Sequence, residues 1–210
     1  MNSSSSLRDA HLHIAQLGEE LSHLNLADCR SLDDALQRLA SVARHSVPGS
    51  SSAPSPSGRG LGEGYPPSPV SLSFSPSFSC PRASSPAPQA SPWLIAAGAR
   101  AESWPERRLP TARELHEASG GAAVIIRSFD HHSIAVSARV IELANITRDT
   151  PDPAYGVIDR NPATREPTGL LLEKACDLIW RILPTPSLEA RINHIRAALA
   201  ELARHNLTEL

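Results

Sequence analysis

The chain is poor in the residues that would place it in several large classes of protein. Aromatic side chains make up 4% of its 210 residues and methionine occurs once. So low an aromatic content beside 19 prolines implies that part of the chain builds no core. The three cysteines, Cys29, Cys80 and Cys176, are odd in number, far apart and never in a CxxC pair. Neither a disulfide framework nor a thiolate zinc site is therefore indicated. A large charge of one sign is also lacking. The formal net charge of −2 gives no electrostatic case for a nucleic acid or an anionic membrane surface as partner. No apolar run approaches the ~18–20 residues of a membrane span. The opening "MNSSSSL" lacks the apolar stretch of a secretory signal. A soluble, cytoplasmic protein is the expectation, and the sequence leaves its oligomeric state open.

What the chain does contain divides it in three. Residues 46–92 read "SVPGSSSAPSPSGRGLGEGYPPSPVSLSFSPSFSCPRASSPAPQASP", with neither helical nor strand period. A stretch of this kind cannot bury enough apolar surface to offset its ordering entropy, and disorder is expected. Its "GRGLGEG" is no phosphate loop, because the strand before and the helix after are both missing. Residues 1–45 and 93–210 look globular.

In the first globular part, "SLDDALQRLASVARH" places Ser31 as N-cap and Asp34 at the capping-box position. Leu32, Leu36, Leu39 and Val42 then share one face of an amphipathic helix. In the second, "WLIAAGA" (93–99) reads as a buried strand, "TARELHEAS" (111–119) as a helix closed by Gly120–Gly121, and "AAVIIRSF" (122–129) as the strongest strand. "SARVIELANI" (137–146) reads as a helix ending at Asn145, and 156–173 as two extended segments joined by an Asn-Pro turn. "KACDLIWRIL" (174–183) reads as a helix stopped by Pro184 and Pro186. The last helix, capped by Ser187, carries Leu188, Ile192, Ile195, Leu199 and Leu202 as an expected buried stripe. Alternating strands and helices argue α/β with parallel strands. The strands are too few to close a barrel of the usual ~250 residues, so a part of a larger fold is expected.

Chemistry enters at "RDAHLHI" (8–14). On a strand, residues two apart point to one side, so His11 and His13 would project together and suit a divalent ion. Nine histidines in 210 positions make one such pair unsurprising by chance, and imidazole alone does not choose the metal. Spacing therefore leaves a ligand pair and a coincidence both open.

The wider sequence bears on this choice. "DAHLH" resembles the Asp-x-His-x-His signature of the amidohydrolase superfamily. The ordered series "SWPERRLPT", "DHHS", "TPDP" and "EPTGLLLE" is similar to the amidohydrolase-3 type, which includes N-substituted formamide deformylases. The resemblance covers 7–45 and 93–210. It implies a (β/α) TIM-type barrel, here partial, with the serine–proline tract as an insertion. It also implies hydrolysis of non-peptide carbon–nitrogen bonds in small amide or formamide substrates, with a divalent metal, zinc being the usual expectation. His11 and His13 would be metal ligands. Asp130 and His132, after the strongest strand, would face substrate. Glu173 would be a further metal ligand or supporting group, or an ordinary acid at a helix start. Trp104 would line the pocket or pack under a loop. His194 is expected to be solvated, and Arg107–Arg108 to be a solvated or salt-bridged loop pair.

The chain also departs from the pattern. The family's later histidines and its general-base aspartate have no counterpart, so no catalytic residue is identified within the chain. Ser137 stands where relatives often have Asn, and Asn145 where they have Gly. The expectation is a truncated or interrupted copy, inactive by itself. The competing classes are a non-catalytic remnant, a partial domain requiring a complementary chain, and a scaffold whose proline-rich tract binds partners.

Overall fold

The computed structural model describes residues 7–8, 12–46 and 93–209. His11 and the tract from residue 47 to residue 92 lie outside the described residues. All the described elements belong to one unit.

The helices begin where polar caps precede apolar periodicity. After β1 (Leu7–Arg8) and α1 (Ile14–Glu20) comes β2 (Leu24–Asn25) and then α2 (Leu32–Ser46). The Ser31 hydroxyl accepts from the Asp34 N–H at 3.1 Å, and Asp34 Oδ2 accepts from the Arg30 N–H at 3.1 Å. Both capping residues thus satisfy backbone donors that a helix start leaves unpaired. Leu32 and Leu39 are buried, and Leu36 packs half-buried beside them. After β3 (Trp93–Ala99), α3 (Ala112–Ser119) is held by a full capping box between Thr111 and Glu114. Arg108 forks onto Glu114 at 2.8 Å on both oxygens and holds its carboxyl down at about 2. Gly120 then ends α3 with φ 65°, a conformation that costs glycine no Cβ clash.

β4 (Ala123–Ser128) is followed by a strand that the periodicity does not reveal, β5 (Ser133–Val136). Next come α4 (Ala138–Leu143), β6 (Gly156–Arg160), β7 (Pro167–Glu173), α5 (Asp177–Trp180), α6 (Leu188–Arg204) and β8 (Leu207–Glu209). Asn145 takes φ 52° after α4, as expected of its place. The helix expected over 174–183 is shorter. Residues 174–176 form a 3₁₀ turn and only Asp177–Trp180 are α-helical.

The sheet order is β2-β3-β4-β5-β7-β6, with β1 and β8 paired separately. β2, β3 and β4 are parallel, as are β1 and β8. The remaining pairs, β4 with β5, β5 with β7 and β6 with β7, are antiparallel. This corrects the expectation of parallel strands throughout. A four-residue turn after β4 cannot carry the crossover that parallel strands need, so the chain doubles back. Among the described residues the main sheet is open, so the architecture is mixed α/β and no closed barrel is formed.

Alternate residues of β4 feed two cores on opposite faces. Val124 and Ile126 pack with Leu26, Leu39 of α2, Trp104 and Leu115 of α3. Ala123 and Ile125 pack with Ile134, Val140 of α4, Leu171 and Ile179 of α5. Ser137, with no exposed surface, ties these layers. Its hydroxyl donates to the Ala122 carbonyl at 2.9 Å and accepts from the Val124 N–H at 3.0 Å.

The stripe expected to be buried on α6 is the second correction. Ala198 and Leu202 are buried, but Leu188, Ile192, Ile195 and Leu199 are exposed. The helix packs closely on α1 through a neighbouring face. A Cβ built on Gly18 would lie 1.9 Å from the His194 carbonyl oxygen. His194 is consequently half-buried and not fully solvated.

Candidate functional site

β3, β4 and β7 point the same way, because two successive antiparallel pairings restore the direction of β4 in β7. Their C-terminal ends therefore share one edge of the sheet. The Phe129 N–H donates to the Ala99 carbonyl at 2.8 Å and locks the exits of β3 and β4 together. Arg100, just past β3, stacks its guanidinium 3.5 Å from the centre of the Phe129 ring.

The turn from Phe129 to His132 carries the polar groups. Asp130 accepts a short hydrogen bond from the Ser128 hydroxyl, and its Oδ1 accepts the His132 N–H at 3.0 Å. These bonds, the Ser128 one foremost, hold the Asp130 carboxyl below its usual range. His131 takes the left-handed backbone conformation, with φ 65°. His132 Nδ1 lies 3.1 Å from the Glu173 carboxylate across the edge. The hydrogen bond that His132 donates to the Glu173 carboxylate raises the proton affinity of His132 above the ordinary histidine value. Glu173 itself sits at φ 51°, and its N–H donates to the His132 carbonyl at 2.8 Å. The strand end and the turn are thus joined by both backbone and side chain.

A second group docks α1 onto this turn. Glu20 Oε1 receives Arg127 at 3.0 Å and lies 3.4 Å from His131 Nδ1. Gln16 meets both His131 at 3.1 Å and Glu20 at 3.2 Å. Arg127 also stacks 4.8 Å from the centre of the Trp180 ring. Arg127 is the one charged residue in β4, a signal visible in "VIIRSF". Gln16, Glu20 and His131 gave no such signal, since their meeting depends on how α1 folds back.

Asp130, His132 and Glu173 are therefore brought together. His13 is exposed at the N-cap of α1, and its carbonyl accepts from the Leu17 N–H at 2.9 Å. Trp104 belongs to the core. It is 1% exposed, and its indole N–H donates to the Cys29 carbonyl at 2.9 Å, so it packs under its loop. Among the described residues no three histidine, cysteine or acidic side chains group to hold a metal ion. Glu173 is engaged by His132. The described residues by themselves do not compose a metal centre.

The model of the family described as "Amidohydrolase family" matches residues 7–210. The chain belongs to the amidohydrolase family. A curated relative, the putative amidohydrolase YtcJ of Bacillus subtilis (strain 168), is 34% identical over 116 residues. That match takes in 55% of this amidohydrolase chain and 22% of YtcJ. Two solved structures share the fold over 97% of the chain, both uncharacterized metal-dependent hydrolases. The one from Pyrococcus horikoshii OT3 has a TM-score of 0.52 at 18% identity, with 30% of its length covered. The one from Pyrococcus furiosus has a TM-score of 0.51 at 16% identity, with 31% covered. The amidohydrolase chain thus spans about a fifth of the curated relative and under a third of either structure.

Proposed function

We propose that this chain is one sector of a metal-dependent hydrolase acting on non-peptide carbon–nitrogen bonds of small amides or formamides. The observation that carries the reading is the meeting of Asp130, His132 and Glu173 at the C-terminal edge of β4 and β7. Strand C-terminal ends are where α/β folds gather their chemistry.

In this reading Glu173 orients His132 through Nδ1 and favours its charged form, leaving Nε2 to donate to a substrate carbonyl oxygen. Asp130 stiffens the turn that carries His132. His11 and His13 are the residues assigned to the ion, zinc in this proposal, which supplies an activated water when bound. The described residues alone do not enclose such an ion.

The test is zinc analysis and an amide and N-formyl hydrolysis assay on the zinc-equilibrated 210-residue chain. Bound zinc that disappears in the His11→Ala, His13→Ala variant, with little turnover by the chain alone, is the expected result. Turnover abolished by His11→Ala would show that the chain needs no complement. Absence of bound zinc would favour the non-catalytic remnant.

A further inference from the structure

A cavity of about 860 Å³ is lined by the end of α1, the first residues of β3, Arg127 of β4, Trp180 and Leu183. Trp93, Leu94 and Ile95 of β3 contribute apolar lining, together with Trp180 and Leu183. The polar groups reaching it include His23 and Arg127. Its volume lies in the ~300–1,000 Å³ range of small-molecule sites, which pair apolar walls with a few placed polar groups.

His23 defines what the cavity recognises. Its Nδ1 is sealed from solvent without a hydrogen-bond partner, whereas its Nε2 is neither sealed nor bonded within the described protein. A proton on Nδ1 would leave an unpaired buried N–H, the rarer and costlier defect. The proton therefore belongs on Nε2, the accessible nitrogen, which becomes an N–H donor. Burial of the ring also disfavours its charged form. Among the described residues that line the space, Arg127 is paired with Glu20, Glu19 adds a negative charge, and His194 is the other imidazole. A carboxylate ligand would meet Glu19 without a free cation to answer it.

We propose that this cavity binds an uncharged ligand with a flat apolar body and one carbonyl acceptor, a carboxamide being the simplest, held by His23 Nε2–H against the Trp93 and Trp180 walls. The site requires neither metal nor turnover, so it stands or falls separately from the hydrolase reading.

The experiment titrates the full chain with benzamide, toluene and benzoate while following tryptophan emission. Trp93 and Trp180 line the cavity, and buried Trp104 supplies a constant background. Saturable binding of benzamide, stronger than that of toluene or benzoate, is expected. His23→Phe should weaken benzamide about tenfold, the loss of one hydrogen bond, and leave toluene unchanged. His23→Gln, which keeps an N–H donor, should retain benzamide binding. No saturable response, equal binding of benzamide and toluene, tighter binding of benzoate, or equal affinity in His23→Phe would each overturn the proposal. If both variants fail to fold, the ranking of the three probes on the unaltered chain decides.

Discussion

Gly18 is a position where helix propensity and packing give opposite answers. In an isolated helix, Gly→Ala is worth up to about 1 kcal/mol of stability. Here the added methyl would press on the His194 backbone 1.9 Å away, so Gly18→Ala should destabilise by about 1–3 kcal/mol in urea unfolding. At the edge, Glu173→Gln should lower the pKa of His132 toward 6.5, read by NMR titration of its ring protons. The sign for stability follows from the raised value. The pair contributes fully below the unfolded-state pKa, and the contribution fades as pH rises through the higher folded-state one. That Asp130 and His132 sit in the turn after the strongest strand was legible in the sequence. The Glu173 partnership was not, because the two halves of the pair are 41 residues apart in sequence and only the antiparallel return of β5 and β7 joins them.

The elements were most legible where local signals suffice. Ser31, Thr111, Gly120 and Ser187 start or stop their helices through bonds and angles that need no distant partner. Legibility failed for β5, a four-residue strand whose "SIAV" has too little length for a period, and which exists because β4 and β7 flank it. It failed differently for α6, where a 4,3,4,3 spacing marks an apolar stripe but does not say what covers it. Two substitutions separate the faces of that helix. Leu202→Ala should cost about 2–5 kcal/mol, as for any filled core position. Ile195→Ser, on the exposed stripe, should stay within about 1 kcal/mol in the same thermal or urea unfolding. A large loss at Ile195 would mean that something covers the stripe in solution.

At the scale of the whole molecule, one contact ties the first helix to the centre of the sheet. Glu20 and Arg127 are 107 residues apart in sequence, and the Arg127 side chain is only 14% exposed. Glu20→Gln would leave that guanidinium without its carboxylate, at a cost of about 1–3 kcal/mol. Hydrogen exchange should then quicken in α1 before it does in β4, because α1 is the smaller partner and loses its tether. The same topology sets an order of assembly. β4 and β5 register Arg127 with Ile134 across a tight turn, whereas β2 and β3 register Leu24 with Ala96 across the whole intervening tract. The loop that must close is roughly tenfold longer, which adds about 2 kcal/mol of closure entropy in the unfolded chain. The antiparallel half, β4 to β7, can therefore form early from near neighbours, and β2 with its helix joins a sheet already made. Refolding should show β2 and α2 as the late arrivals, with shortening of the tract quickening that step and leaving the earlier one alone.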